Sequence, residues 1–359
     1  MTRAPDPAAP ASPRQAGIES FRVLAAFLIL YNHTKQYQGT AFSAFSPQYM
    51  LLDVFMRFAV PFFFLTAGYF FYTAFEKGEP LRALFLRYSR KLLVWYAFWT
   101  VVYALLPRDF VGGWMERGFG EGIVRASGYH LLRFGTKFRE EPLYYLFESS
   151  MFHLWFLPAL VMALGLVAFF VSARLERFLL PAAVVLYAVG LLGSSYQNTR
   201  FGIDFPFLFD GKDGPFMSTF FVALGWIIAK YRIRLSFRKA ACLALAGYGL
   251  GVLENLAARG FSPEGRVLTL SCHALVLGPA MFWMALALPE MGRNSAARLG
   301  KLTPGIYLSQ IAASDMTWRL HRYFAPPVWE FLFPAVIFAV AAAITVVFSK
   351  IPVLRKGVE

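Results

Sequence analysis

The sequence predicts an all-α integral membrane protein with about ten transmembrane helices and both termini in the cytoplasm. Three observations lead there: the composition, the spacing of the apolar runs, and the placement of lysine and arginine. Of 359 residues, 58% are hydrophobic, 18% aromatic and only 16% charged. Soluble domains carry about 25% charged residues, and a soluble chain of this length has too little interior to hide so much apolar surface. Lipid solvates it instead. Mean hydropathy is +0.51.

The opening stretch, MTRAPDPAAPASPRQAG, is rich in proline and alanine and predicts a disordered cytoplasmic tail over residues 1–17. The membrane domain is expected over residues 18–350, with a second cytoplasmic tail at 351–359. A helical span takes about 20 mostly apolar residues. Spans are expected near 19–38, 50–74, 91–107, 152–172, 178–194, 215–230, 240–258, 267–289, 302–318 and 328–349. The first is the least apolar, its uninterrupted run being Val23–Leu30. Because it carries Arg22 and His33, it reads as a retained span and not a cleaved signal peptide.

Orientation follows from the positive-inside rule. With the termini inside, the cytoplasmic segments collect 20 lysines and arginines and the opposite face 13. Six of those 13 lie in one long outward loop, 108–151, where the rule counts for less, leaving 7 for the short segments. That loop holds Gly112, Gly113, Gly118, Gly120 and Gly122, followed by RASGYHLLRFGTKFREE. Such a loop either covers a site, lies on the membrane surface, or merely connects. Neither a second soluble domain nor an internal repeat of the transporter type is visible.

The net charge of +14 sits in short runs between apolar stretches, not in a groove or tail, so nucleic-acid binding is not expected. Cys242 and Cys272 provide no disulfide framework or zinc spacing, and the five histidines show no paired spacing. No metal site is expected.

Charges within lipid-facing helices cost about 2.5–3.5 kcal/mol each on insertion scales, so those present are usually paired or functional. Arg22 and His33 are eleven residues apart, three helical turns plus about 20°, so both leave one face of one helix. The rise between them is about 16 Å, which would set Arg22 near the cytosolic surface and His33 near mid-membrane. An arginine could then hold an anionic donor while its reactive end meets a histidine whose pKa suits a general base. Alternatively, His33 bonds a neighbouring helix. Arg87 and Arg90, with Lys91 beside them, form R-x-x-R: either a grip for phosphate oxygens or a positive-inside anchor. Asp53 and Arg57, at i and i+4, either neutralise one another or hold an acceptor or a developing negative charge. Pro61 and Gly68, just beyond, are expected to loosen that helix.

Together these residues resemble membrane-bound acyltransferase family 3, in its branch acting on surface polysaccharides. Arg22-x10-His33 matches the first-helix signature, preceded by GIESFR, where Glu19 stands at a position often acidic. MRFAVPFFFLTAGYFF resembles R-x-x-V-P-x-F-F-x-x-S-G-Y, and RYSRKLL resembles the R-x-x-R. HLWFLPAL, from His153 to Leu160, is similar to an HLWFL motif; FVALGWIIA resembles a glycine-bearing helix, and TPGIYLSQ resembles S-x-G-I-Y-L-x-H. The likeness covers almost the whole chain in order. Thr66 replaces a usual serine, and Gln310 stands where many members have histidine.

The resemblance implies a multi-pass enzyme of the bacterial inner (plasma) membrane. It would move an acyl group, usually acetyl, from cytosolic acyl-CoA to a hydroxyl of a glycan beyond the membrane. No permanently bound cofactor is implied; acetyl-CoA is a substrate. His33, with Arg22 and Glu19, would be catalytic, acting directly on the acceptor or through a covalent acyl step. Arg87, Arg90 and Lys91 would hold CoA phosphates. Asp53, Arg57, His153 and Trp155 would serve the acceptor or developing charge, Trp155 being either an aromatic platform for a sugar or an interfacial belt residue. The competing reading is a transporter or flippase for a polysaccharide or lipid-linked glycan. The sequence carries no signal for oligomeric state.

Overall fold

The computed structural model describes residues 13–34, 47–203, 213–258, 268, 270–288 and 296–358. These residues form helices and turns, with no strand among them. In order come α1 (Pro13–His33), α2 (Pro47–Met56), α3 (Ala59–Glu76) and α4 (Leu81–Leu105). Then follow α5 (Phe110–Phe119), α6 (Ala126–Glu140), α7 (Pro142–Glu148), α8 (Phe156–Ser172) and α9 (Leu179–Leu192). The rest are α10 (Pro215–Lys230), α11 (Phe237–Ala258), α12 (Ala274–Ala287), α13 (Ala296–Thr317), α14 (Pro326–Lys350) and α15 (Pro352–Arg355).

A helix falls within or across each of the ten expected spans. Among the described residues, four segments are long and apolar enough to cross a membrane: Met50–Glu76, Phe152–Ser172, Phe237–Ala258 and Val328–Lys350. α10 and α12 are apolar but shorter. Large apolar side chains project outward from several helices, among them Phe169 of α8, Val185 of α9, Leu245 and Leu253 of α11 and Phe331 of α14. In water such a surface would drive aggregation; in lipid it costs nothing.

Several sequence expectations change. α1 starts at Pro13 and ends at His33, so residues 13–17 are helix and not tail, while residues 1–12 and 35–38 lie outside the described residues. Burial of Ala16 and Ile18 explains the early start, since the helix gains apolar contact from its first turns. His33 therefore closes α1, instead of lying five residues inside the end of an expected 19–38 span. The C-terminal segment also packs: the Trp99 indole donates to the Gly357 carbonyl at 2.8 Å, and Val358 is buried.

Segment 108–151 is mostly helical. Two of its glycines, read as loop signals, form a crossing point: a Cβ on Gly122 would lie 1.9 Å from the Gly113 carbonyl oxygen, whereas Gly118 and Gly120 face open space. Asp109 anchors the segment from a left-handed backbone conformation (φ 52°). Its carboxylate accepts from the Arg319 guanidinium and, at 3.1 Å, from the Trp318 indole, just past the end of α13. Burial pushes the Asp109 carboxyl up, but these hydrogen bonds hold it below its usual range on balance.

The helices that carry the candidate site cluster around α1, which packs against α3, α12, α13 and α14. α2 and α3 form one path broken at Arg57 and Phe58. Pro61 is the cause, because its ring has no N–H to give the Arg57 carbonyl and crowds it. Gly68 does not loosen α3, contrary to expectation. A Cβ there would stand 2.0 Å from the Val222 carbonyl oxygen, and one on Gly225 would stand 2.1 Å from that of Leu65. The two glycines let α3 and α10 pack backbone to backbone, the small-residue contact favoured between membrane helices.

Candidate active site

Two cavities adjoin α1. The first, about 390 Å3, is lined by Asn32, His33, Asp53, Arg57, Phe152 and Trp155, with apolar walls from α1, α2, α3 and α12. The second, about 580 Å3, is lined by Arg22, Lys77, Lys91, Lys301 and one carboxylate, Glu79, over an aromatic interior that includes Phe63, Phe70, Tyr88 and Trp95. Ile29 lines both. Arg22, Ile29 and His33 share a helix face at spacings of seven and four, so one stripe of α1 runs from one cavity to the other.

In the first cavity, Arg57 donates twice to a single oxygen of Asp53, from Nη2 at 2.7 Å and Nε at 3.1 Å. The Asp53 side chain is 1% exposed and that of Arg57 18%. The break at Pro61 frees the chain to turn Arg57 into the cavity while the i,i+4 pair survives. The His33 ring meets Phe152 edge-on at 5.1 Å between centroids. Trp155 joins the wall and lies 6.4 Å from Phe64.

His153 lines neither cavity. It is fully buried in the turn leading into α8, its Nε2 3.3 Å from the Leu308 carbonyl oxygen. Its ring stands 6.4 Å from that of His33 and 5.6 Å from that of Tyr307, which lines the second cavity and donates to the His153 carbonyl. It belongs to the partition between the cavities.

In the second cavity, Glu19 accepts from Arg22 Nη1 at 2.8 and 3.0 Å. This leaves Arg22 Nε buried without a hydrogen-bond partner among the described residues. Thr66 keeps the hydroxyl of the serine it replaces and donates it to Phe62 O at 2.7 Å. On α4, Tyr88, Lys91, Leu92 and Trp95 recur at helical spacing and form the lining face. Arg87 and Arg90 flank that face and are exposed; Arg87 pairs with Glu79 at 2.9 Å. Lys91 Nζ lies 4.8 Å over the Trp95 ring. Gln310 is buried, with neither amide atom hydrogen-bonded among the described residues.

Of the residues singled out in the sequence, His33, Asp53, Arg57 and Trp155 meet in one cavity, and Arg22 and Lys91 in the other. Glu19 stands behind Arg22. Sequence reasoning missed Asn32 and Phe152 in the first cavity and Lys77, Lys301 and Tyr307 in the second. Lys77 and Lys301 were visible only as members of the basic inner segments. Asn32 beside His33, and Tyr307 within TPGIYLSQ, carried usable signals.

The acyltransferase family 3 model, described as an acyltransferase domain, matches residues 15–350. The chain belongs to acyltransferase family 3. The chain is also 25% identical over 250 residues to an amino-acid racemase of Enterococcus faecalis, covering 66% of this chain and 32% of that protein. It is 26% identical over 260 residues to a serine/alanine racemase of Enterococcus gallinarum, covering 69% of this chain and 34% of that protein. The chain thus spans about a third of the length of the curated relatives it matches. No solved structure matches it.

Proposed function

We propose that this protein moves an acetyl group from cytosolic acetyl-CoA to a hydroxyl of a surface or periplasmic polysaccharide. The observation that carries the reading is the pair of cavities meeting at Ile29, one rich in cations and the other holding a histidine beside a buried ion pair. The acyl arm of the donor enters the Arg22 cavity, with Lys91 at its lining and Arg87 and Arg90 at its rim facing the CoA phosphates. The acceptor hydroxyl sits in the His33 cavity. His33 takes its proton, the oxygen attacks the thioester carbonyl, and the carbon–sulfur bond breaks to release CoA thiolate, which is then protonated. Arg57 lies where it can offset charge on the carbonyl oxygen. The racemase names of the relatives contribute nothing here, because the aligned part is a third of those proteins.

The test is consumption of acetyl-CoA by purified protein with and without polysaccharide. Acceptor-dependent release of free CoA, with acetyl esters appearing on the glycan, is the expected result. Glycan moving across vesicles with no CoA released would make the protein a transporter instead.

The same reading sets ten spans in a bacterial inner membrane, with both termini cytoplasmic and 108–151 outside. Support comes from the 20 against 7 basic residues of the short segments. Reporter fusions after Val358 and within 108–151 should report opposite sides, and a C-terminus outside would overturn the topology.

A further inference from the structure

A third cavity, of about 150 Å3, lies beyond the C-terminal end of α4 and under α6. Arg108, His130, Arg133 and Lys137 line it, and no carboxylate does among the described residues. His130, Arg133 and Lys137 follow one another at i, i+3 and i+7, so a single face of α6 presents all three. Arg108 approaches from the other wall. Its neighbour Asp109 is turned away, engaged by Arg319 and Trp318. Burial, followed by the charges of Arg108 and Arg133, lowers the His130 pKa, so both guanidinium groups bear on that ring.

Gathering cations around a small cavity is unfavourable unless an anion completes it. The neighbouring hydroxyls are already used: Ser149 Oγ bonds Thr100 Oγ1 at 2.6 Å, and Ser150 Oγ donates to the Thr100 carbonyl at 2.7 Å. What remains facing the cavity, beside the His130 ring and Tyr145, are three charged donors, Arg108, Arg133 and Lys137, the kind of partner that oxyanions bind most strongly. The volume has room for one phosphate or carboxylate group and not for a whole oligosaccharide.

We propose that Arg108, His130, Arg133 and Lys137 form an oxyanion-binding site, for a phosphate or carboxylate group, separate from the two cavities at α1. Two sources offer that chemistry. One is the headgroup of an anionic lipid, which fits the exposed Tyr129 and Leu132 on α6. The other is an acidic group on a soluble ligand, such as a uronate or phosphate of a glycan. The site does not require acyl transfer to be the activity.

The experiment measures binding directly on the purified full chain. In one arm, native mass spectrometry compares retention of phosphatidylglycerol with that of phosphatidylcholine. In the other, thermal unfolding in neutral-lipid nanodiscs is followed against inorganic phosphate and glucuronate. The wild type should respond in at least one arm, and R108Q/R133Q/K137Q should lose that response by about tenfold or more, since two or more charged hydrogen bonds are removed. A response to phosphatidylglycerol alone identifies a lipid, and a response to the soluble anions identifies a ligand group. Arg108 and Arg133 are exposed, so the single variants R108Q and R133Q fold and should each show part of the loss. His33→Ala should keep the full response, which separates failure of this site from failure of the acyl-transfer reading. Equal responses from wild type and triple variant, or no wild-type response in either arm, would overturn the site.

Discussion

The two cavities that meet at Ile29 handle charge in opposite ways. In the His33 cavity the ions are few, and Asp53 is almost wholly removed from solvent with Arg57 fixed on one of its oxygens. In the Arg22 cavity four cations line a larger space, and three of them, Lys77, Lys91 and Lys301, stand exposed. Long, solvated lysines suit a large polyanion that arrives from water and leaves again. A dry, fixed pair suits a site where a small charge develops during reaction and must be met without rearrangement. Under the proposed reading, binding belongs to one chamber and chemistry to the other.

The largest effect that sharpens this contrast is expected at His33. Trading its imidazole for a methyl makes α1 more apolar, so His33→Ala should insert and fold. Glycan acetylation should fall by about 100- to 10,000-fold, the usual contribution of a general base. Apparent affinity for acetyl-CoA should stay near the wild-type value, because the donor contacts lie in the other cavity. Near-normal turnover in a folded His33→Ala protein would end the assignment of chemistry to this chamber.

The ion pairs give a second test. Asp53→Asn strands the Arg57 charge, and breaking a buried pair costs about 3–5 kcal/mol. The low end is expected, since Arg57 keeps 18% side-chain exposure. Replacing both, as Asp53→Leu with Arg57→Met, should restore most of the stability but not the activity. Glu79→Gln, in the cation-rich cavity, breaks a pair whose side chains are 38% and 58% exposed; it should cost at most about 1 kcal/mol. Thermal unfolding in detergent reads all three, and equal costs for Asp53→Asn and Glu79→Gln would erase the distinction.

Much of this was legible in the sequence because the membrane makes it so. Apolar runs of about 20 residues have few alternatives to a helix, and charges inside them stand out. His33, Asp53 and Arg57 were found on that ground alone. Position along a helix was harder to read. The apolar run of α1 closes at Leu30, but polar residues can carry a helix further, so the break in hydropathy did not fix its end at His33, and its early start depends on burial of Ala16 and Ile18 by distant segments. Glycines misled for a related reason. Gly68 and Gly122 look like weak points in a single chain, and only the partners Val222 and Gly113 reveal them as packing contacts. His153 shows the same limit, since a motif beginning a helix does not say whether its histidine faces a cavity or a partition.

The smallest effects are expected at the rim of the Arg22 cavity. Lys91 lines the cavity, while Arg87 and Arg90 flank its face in solvent. A charged hydrogen bond to phosphate contributes about 1.5–3 kcal/mol, and exposure moves these toward or below the lower figure. Lys91→Gln should therefore raise the KM for acetyl-CoA by about tenfold with kcat little changed. Arg87→Gln and Arg90→Gln should do less, Arg87 least of all because Glu79 already holds it at 2.9 Å. Screening supplies a second axis. The Debye length shrinks from about 10 Å at 0.1 M salt to about 3 Å at 1 M, so wild-type KM should rise with salt and approach that of Lys91→Gln. Arg22 behaves differently, being mostly shielded and tied to Glu19; Arg22→Lys should impair turnover at every ionic strength, because the planar fork is lost while the charge remains. A KM indifferent both to salt and to all three rim substitutions would mean that the CoA phosphates bind elsewhere, leaving these residues as membrane-side anchors.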